Sequence, residues 1–131
     1  NKVLKNKKIL LLGVSYRSNV GDTRYSPVEP FYNYLKSENA KIYLHDPYVG
    51  YWEEKKIEIP DKFENAFKSK LDIVVVSTAH EEYKNSNILM TNLMQSSKLF
   101  IFDTVGLFSE REIQILSKKH KLRVLGRGDI N

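Results

Sequence analysis

The stretch Lys8-Ile9-Leu10-Leu11-Leu12-Gly13 is a short, uninterrupted apolar run that ends in glycine. Runs of this length without polar alternation are typical of parallel strands that are buried on both faces of a sheet. We therefore expect this stretch to be the first strand of the chain and to lie near the centre of its sheet.

A helix and a second strand are expected after the first strand. Ser26 is placed to cap the helix, Pro27 fits the first helical position, and Glu29 can complete a capping box. An apolar face at helical spacing is predicted to pack on the sheet, formed by Val28, Phe31, Tyr32 and Leu35. Residues 41–47 indicate a strand that a proline ends, which makes a right-handed βαβ unit with the first strand.

The alternation of helices and strands continues to the end of the chain. Residues 71–78 give the strongest strand signal because they are β-branched and uninterrupted. The other predicted elements are a short helix within 61–70, a weak helix over 81–95, a strand over 99–103, a helix over 109–119 with a capping box, and a strand over 122–125, whereas 48–60 look irregular. The sequence thus predicts one domain over residues 1–131 with a doubly wound, Rossmann-like or flavodoxin-like α/β fold, a three-layer sandwich around a mostly parallel central sheet.

Composition narrows the chemistry that the chain can perform. The 131 residues include no cysteine, which excludes disulfides, thiolate metal sites and cysteine nucleophiles. His45, His80 and His120 show no metal-ligand spacing, so no metal site is predicted. Adjacent carboxylates such as Glu53 and Glu54 would point apart on a helix, so no general acid/base pair and no catalytic residue is predicted.

Charge and hydropathy bear on partners and location. The formal net charge of +5 favours anionic partners. No recognition helix, RNP-type strand or Cys/His finger supports nucleic-acid binding, which is not predicted. Since no apolar run reaches the length of a membrane span and the first eight residues lack the apolar stretch of a secretory signal, we expect a cytoplasmic protein with no membrane partner.

The long polar connection over residues 13–27, called here the 13–27 loop, is the main candidate for a ligand site. Ligands of open α/β sheets bind beyond the carboxyl ends of the strands, and this connection is far longer than a minimal turn. It contains Arg17 and Arg24 and ends at a helix N-terminus, so guanidinium groups, free backbone N–H groups and the helix dipole can converge on a phosphate. A structural interpretation is that Asp22 and Arg24 form a local ion pair that shapes a surface loop. The glycines of the G-x-G-x-x-G pattern are absent, which disfavours a free-standing NAD domain.

Two further polar residues follow predicted strands. Asp46 can hold a ribose hydroxyl, as acids at the end of a second strand do in dinucleotide folds, or can simply make a strand-ending turn. His80 can contact a ligand in the crevice or can be structural. The sequence leaves both alternatives open for each residue.

The 13–27 loop resembles the G-[LF]-[AS]-[FY]-K-x-(N/D)-x-x-D-x-R-x-S-(P) segment that opens the C-terminal domain of the UDP-glucose/GDP-mannose dehydrogenase family. The matching residues are Gly13, Ser15, Tyr16, Asp22, Arg24, Ser26 and Pro27. The resemblance continues, in order, through residues 40–47, 72–82 and 102–104, so it covers nearly the full chain.

The resemblance implies that residues 1–131 are the nucleotide-sugar-binding C-terminal domain of a larger oxidoreductase of polysaccharide biosynthesis. Enzymes of this family oxidise a UDP-sugar to a UDP-uronic acid with NAD, through a catalytic cysteine that belongs to other parts of the protein. By the same resemblance, the chain alone is inactive, NAD is bound mainly by the absent N-terminal domain, and the full-length protein is a homo-oligomer. Its implied partners are a nucleotide-sugar substrate and that N-terminal domain.

The resemblance also assigns roles to three residues of the 13–27 loop. Arg17 falls on a substrate-binding lysine, and Tyr16 falls on the neighbouring aromatic residue, whose backbone lies near the nucleotide-sugar. Arg24 falls on an arginine that reaches the NAD pyrophosphate across the domain interface. The guanidinium of Arg17 differs in shape from an ammonium group, and Val105 lies where the family usually has an arginine, one or two residues beyond Thr104. The first departure puts the choice of substrate in question. The second implies either an unusual substrate, with charge supplied elsewhere, or a domain that has partly lost binding.

Two alternatives to a dehydrogenase domain remain at the level of sequence. The chain can be a free-standing α/β binding or interaction module in which the ion pair of the 13–27 loop is purely structural. An FMN-binding flavodoxin-like protein would need a compact Ser/Thr-rich phosphate loop, of which residues 13–18 are a poor version.

Overall fold

Five parallel strands form the main sheet of the protein, which the computed structural model describes over residues 3–128. These strands are β1 (Lys8–Leu12), β2 (Lys41–His45), β5 (Ile73–Val76), β6 (Phe100–Asp103) and β7 (Lys121–Val124), and a small antiparallel hairpin is formed by β3 (Tyr51–Trp52) and β4 (Ile57–Glu58). The helices are α1 (Val28–Ser37), α2 (Phe63–Ala66), α3 (Asn87–Gln95) and α4 (Glu110–Ser117), with a 3-10 turn at Glu81–Tyr83. Residues 1–2 and 129–131 of the predicted domain lie outside the described residues.

The strand order across the main sheet is β2-β1-β5-β6-β7. Every neighbouring pair is parallel, and β1 pairs with β2 on one side and with β5 on the other. Counted within this sheet alone, the order is flavodoxin-like, with its switch point between β1 and β5. The prediction of a Rossmann-like, three-layer α/β sandwich is confirmed, and the first strand lies in the interior of the sheet as expected.

Alternate side chains of the strands enter two separate apolar clusters, one on each face of the sheet. On one face, Leu10 and Val74 pack with residues of α2, α3 and α4. On the other face, Leu11 and Val75 pack with residues of α1 and the hairpin. Because both faces are covered around β1 and β5, these strands are continuously apolar, which is why both appear in the sequence as uninterrupted apolar runs.

The hairpin corrects the prediction that residues 48–60 are irregular. Trp52 of β3 is fully buried, and its ring meets that of Tyr32 on α1 edge to face, with centroids 5.3 Å apart. Val49 and Ile59 are buried on either side of the hairpin and join the same cluster. Tertiary packing therefore orders this segment, and the mixed local composition of residues 48–60 does not predict the hairpin.

The predicted capping box forms at the start of α4 but not at the start of α1. At α4, the predicted capping box forms, because the Ser109 hydroxyl accepts from the Glu112 N–H and the Glu112 side chain accepts from the Ser109 N–H. At α1, the predicted box with Glu29 is wrong. There the Ser26 hydroxyl accepts from the Val28 N–H at 3.1 Å but donates to the carbonyl of Val14 at 2.9 Å, so its orientation is set by the loop rather than by Glu29.

The three histidines are all buried and hydrogen-bonded within the protein. His120 Nδ1 accepts from the Leu99 N–H at 2.9 Å and Nε2 donates to the Leu93 carbonyl at 2.7 Å, which joins the start of β6 to α3. His45 contacts the Tyr83 hydroxyl at 2.8 Å through Nδ1 and the Asp61 carbonyl at 3.0 Å through Nε2. Burial is the main cause that lowers the pKa of both rings below the usual value.

This burial makes the stability of the protein depend on pH below neutrality. As the pH falls through about 6.5, the histidines of the unfolded chain take up protons while His45 and His120 of the folded chain stay neutral. The unfolded state then binds more protons, so the free energy of unfolding should fall from pH 7 downward until the lowered pKa values are reached. Urea unfolding at pH 7.5 and 5.5, with NMR titration of the rings, measures this. Ring pKa values above 6.5 would contradict it.

Candidate functional site

The 13–27 loop leaves the carboxyl end of β1 and lies against the ends of β2 and β5. Gly13 starts it with a positive φ of 99°, and a Cβ at this position would lie 2.4 Å from Cβ of Thr78. The Ser77 hydroxyl donates to the Gly13 carbonyl at 2.8 Å. Only glycine therefore fits where the chain leaves the switch point of the sheet.

The inner side of the loop is fixed by hydrogen bonds to its own backbone and to the hairpin. The Tyr16 N–H donates to the Asp22 carbonyl, which closes the loop across residues 16–22. The Thr23 hydroxyl donates to the Glu54 carboxylate at 2.6 Å and ties the loop to the turn between β3 and β4. The loop is thus held from both sides, although it carries no regular secondary structure.

A fully buried carboxylate, Asp46, lies beneath the loop at the end of β2. Its Oδ2 accepts from the Val14 N–H at 2.8 Å and lies 3.0 Å from Nε2 of His80, and its Oδ1 accepts from the N–H groups of Tyr48 and Val49 at 2.7 and 3.2 Å. Burial alone would raise the pKa of Asp46, but the hydrogen bonds from His80, Val14 and Tyr48 together lower it. With four donors and no exposed surface, Asp46 has no free acceptor for a ribose hydroxyl, and the turn interpretation is the one that fits the geometry.

His80 is the partner of Asp46 and is also fully buried. Its Nδ1 accepts from the Asn19 N–H at 2.9 Å, and its Nε2 lies 3.1 Å from the Ser15 hydroxyl as well as 3.0 Å from Asp46. The ring of Tyr48 packs over it with centroids 4.8 Å apart. His80 is therefore buried below the loop and has no surface on which to contact a ligand directly.

Arg24 and Asp22 form the ion pair that the structural interpretation of the loop expects. Nε and Nη2 of Arg24 lie 3.1 and 3.0 Å from the two Asp22 oxygens, and the Arg24 N–H also donates to Asp22 at 3.0 Å. The hydrogen bonds from Arg24 lower the pKa of Asp22 from 3.8 to about 2. Since 75% of the Arg24 side chain is exposed, water screens the pair and its guanidinium keeps an open outer face.

Tyr16 and Arg17 lie at the exposed outer side of the same loop. The Tyr16 side chain is 52% exposed, and Arg17 is likewise exposed. Among residues 3–128, no carboxylate lies within ion-pair distance of the Arg17 guanidinium. The Arg17 charge helps to lower the pKa of Asp22, as does that of Arg24, so both cations act on the same part of the loop surface.

The expected free N–H groups at the start of α1 are not present, which corrects part of the predicted phosphate site. The N–H of Val28 donates to the Ser26 hydroxyl, and that of Glu29 donates to the Ser26 carbonyl at 3.2 Å. Pro27 and Pro30 have no N–H group at all. The first turn of α1 therefore offers an anion no free N–H group from residues 27–30, and Arg17 and Arg24 are the exposed cations of the loop at this edge of the sheet.

A shallow apolar hollow of about 320 Å³ adjoins the start of α1 at the same edge of the sheet. It is lined by Pro27, Val28, Phe31, Val75, Ser77, Phe102, Thr104 and Leu125. Val105, directly after Thr104, is 38% exposed, and its N–H donates to the buried Asp103. The end of β6 thus offers hydroxyl and apolar groups but no cation to this hollow.

Several kinds of site find no support within residues 3–128. The histidines and carboxylates there form no group of three that can hold a metal ion. None of the helices in this range has the length and apolar character that a bilayer span requires. A larger hollow of about 600 Å³ lies between α3 and α4, and none of its lining residues belongs to the 13–27 loop.

The sequence pointed to Asp46 and His80 one at a time and missed the assembly that they form with Ser15 and Asn19. The signal available in the sequence was that Asp46-Pro47 and Thr78-Ala79-His80 each stand at the end of a predicted strand. Strand order was needed to bring them together, because β2 and β5 both flank β1.

Comparisons with known proteins agree with one another. A family model described as "UDP-glucose/GDP-mannose dehydrogenase family, UDP binding domain" matches residues 10–110. A UDP-N-acetyl-D-mannosamine dehydrogenase of Methanococcus vannielii is 29% identical over 133 residues, which cover 98% of this chain and 29% of the relative.

Two solved structures share the fold. A UDP-D-ManNAc dehydrogenase from Pyrococcus horikoshii aligns with a TM-score of 0.75 and 24% identity, over 97% of this chain and 27% of the other. An NDP-N-acetyl-D-galactosaminuronic acid dehydrogenase from Methanosarcina mazei Go1 aligns with a TM-score of 0.79 and 23% identity, over 95% and 25%. The chain therefore spans less than a third of the length of these relatives.

Replacing Gly13 by alanine should lower the free energy of unfolding by at least about 2 kcal/mol, since it combines a left-handed backbone with a clash against Thr78. Gly50→Ala is the matched control, because a Cβ at Gly50 meets nothing within 4 Å, and it should change stability by less than about 0.5 kcal/mol. Urea unfolding of both variants decides the matter. Equal effects would show that the contact at Gly13 does not matter.

Replacing Arg24 by alanine should return the pKa of Asp22 part of the way from about 2 toward 3.8, because the side-chain hydrogen bonds from Arg24 are the largest cause of its depression, whereas the backbone N–H of residue 24 still donates to Asp22. NMR titration of the Asp22 carboxyl carbon measures this shift. Arg111→Ala, on the exposed surface of α4, should leave it unchanged. An Asp22 pKa that stays near 2 in the Arg24 variant would mean that the ion pair is absent in solution.

Proposed function

The chain belongs to the UDP-glucose/GDP-mannose dehydrogenase family and corresponds to its UDP-binding domain, and on this basis we propose that it clamps the nucleotide end of a UDP-sugar for a larger dehydrogenase. The whole protein would oxidise that sugar to a UDP-uronic acid, and residues 1–131 would be its C-terminal domain. The single observation that carries the proposal is the exposed guanidinium of Arg17, without an ion-pair partner among residues 3–128, on a loop that is rigidly held at the switch point of the sheet.

Arg17 is the proposed substrate-binding cation. A guanidinium forms two parallel hydrogen bonds with phosphate oxygens, which suits a diphosphate. Tyr16 lies beside it on the outer side of the loop and, in this proposal, presents its backbone carbonyl to the nucleotide-sugar, because its N–H already donates to the Asp22 carbonyl. Because Val105 supplies no charge at the end of β6, Arg17 takes a larger share of the binding, and the substrate can differ from that of relatives with a further arginine.

Arg24 is the proposed contact of this domain with NAD. The ion pair with Asp22 holds the guanidinium in one orientation. Because the pair is exposed and screened by water, replacing the Asp22 carboxylate by a pyrophosphate as the partner of Arg24 costs little free energy. NAD, when bound, accepts the hydride from the sugar, and most of its contacts would come from an N-terminal domain of the same protein. The chain contributes position rather than chemistry, so we propose that it transfers no hydride on its own.

The remaining parts of the proposal concern the full-length protein. We propose that it is a homo-oligomeric, cytoplasmic enzyme of polysaccharide biosynthesis, with no metal and no nucleic-acid or membrane partner. The alternative of an interaction module without catalytic context is favoured by one observation, namely that the Asp22–Arg24 pair is complete without any ligand.

Calorimetric titration of the 131-residue chain with UDP, GDP, UDP-glucose and UDP-N-acetylmannosamine at low salt tests the clamp role. UDP and at least one UDP-sugar should bind, and Arg17→Ala should weaken the binding by about 10- to 100-fold, the usual effect of losing a hydrogen bond to a charged group. Arg111→Ala, an exposed arginine of α4, should leave it unchanged. A folded chain that binds none of the four would refute the clamp and leave the interaction module.

A further inference from the structure

We propose that His80 is a positioning residue for nucleotide binding, because its buried ring fixes the backbone of residues 15–19 from below and thereby presents Arg17. This inference rests on the proposed function, since Arg17 is the proposed diphosphate ligand. His80 itself touches no ligand, as it is fully buried at the end of β5.

The ring of His80 is tied to the segment at both ends of residues 15–19. Nδ1 accepts from the Asn19 N–H at 2.9 Å, and Nε2 lies 3.1 Å from the Ser15 hydroxyl. That hydroxyl in turn donates to the Arg17 carbonyl at 3.0 Å. One ring therefore restrains the backbone on both sides of Arg17 and, through Ser15, at Arg17 itself.

These contacts fix the tautomer of His80 and give its two nitrogens different tasks. A backbone N–H only donates, so Nδ1 must be the acceptor and the proton must be on Nε2. Nε2 then donates to the buried Asp46 carboxylate and is shared with Ser15. Nε2 supports the Asp46 carboxylate and the Ser15 hydroxyl at the start of the segment, whereas Nδ1 supports its far end at Asn19.

The Nδ1 contact holds a part of the loop that would otherwise have several conformations. Asn19 has a positive φ of 64°, which costs free energy for a residue other than glycine. Its side-chain oxygen accepts from the Glu81 N–H at 2.7 Å, so the residue bridges the loop to the 3-10 turn after β5. With Asn19 fixed, the backbone at Arg17 is ordered before a ligand arrives, which favours binding.

Two substitutions separate the tasks of the two nitrogens. In His80→Gln the amide nitrogen can replace Nε2 as donor to Asp46, but nothing accepts from the Asn19 N–H. In His80→Asn the carbonyl oxygen can replace Nδ1, while Asp46 and the Ser15 hydroxyl both lose their contact with Nε2; the Ser15 hydroxyl can still donate to the Arg17 carbonyl. The matched control is His120→Gln, because His120 also accepts a backbone N–H at Nδ1 and donates at Nε2, but at the amino-terminal edge of the sheet.

The experiment measures UDP affinity by calorimetry, the free energy of unfolding by urea, and amide hydrogen exchange of Asn19 and Val14 in the 131-residue chain. His80→Gln should weaken UDP binding about tenfold, the effect of one lost hydrogen bond, and should speed exchange at Asn19 but not at Val14. His120→Gln should lose comparable stability with no loss of UDP affinity. His80→Asn should lose stability while retaining protection at Asn19 and most of the affinity, which decides the matter if His80→Gln does not fold.

Two results would overturn the positioning role. One is a His80→Gln variant that binds UDP as well as the wild type although Asn19 exchanges faster. The other is a loss of UDP affinity that is proportional to the loss of folding stability, with the same proportion in the His80 and His120 variants. A folded wild type that binds no nucleotide is a different result, because it refutes the proposed clamp and the positioning role together.

Discussion

The buried carboxylate of Asp46 is the interaction on which the rest of the candidate site depends. It accepts from Val14 of the 13–27 loop, from Tyr48 and Val49 after β2, and from His80 after β5, so it joins the ends of three neighbouring strands. A buried carboxylate is costly unless donors surround it, and here four do. Removing any one of these segments would leave the buried charge short of at least one donor, which couples their positions to one another.

As a consequence, the 13–27 loop has an inner side that packs on the strand ends and the hairpin, and an outer side that faces solvent and carries Arg17 and Arg24. The inner side uses its backbone groups for contacts within the protein, and prolines at positions 27 and 30 remove two further N–H groups from the start of α1. Dinucleotide-binding folds present such N–H groups to phosphates after a glycine-rich turn. In this protein the proposed phosphate contacts pass instead to the side chains of Arg17 and Arg24, whose reach and orientation depend on the rigidity of the inner side.

The sequence predicted features whose causes are local and missed those whose causes are not. The continuous apolar runs of β1 and β5 and the capping box of α4 are short-range signals, and each forms as predicted. The Asp22–Arg24 pair, two residues apart, was likewise visible. The hairpin at β3 and β4 was missed because it depends on the burial of Trp52 against Tyr32, and the capping box of α1 failed because the Ser26 hydroxyl turns to Val14, twelve residues earlier. The assembly around His80 required knowledge of the strand order.

That strand order also shapes how the chain must assemble during synthesis on the ribosome. β1 pairs on one side with β2, which follows soon in the chain, but on the other side with β5, whose Ile73 meets Ile9. Until residues 73–76 have been made, β1 presents an open hydrogen-bonding edge and an apolar face to the surroundings. A chain in which only β1 and β2 had paired would expose this edge, and an open edge of so apolar a strand favours edge-to-edge association with another copy.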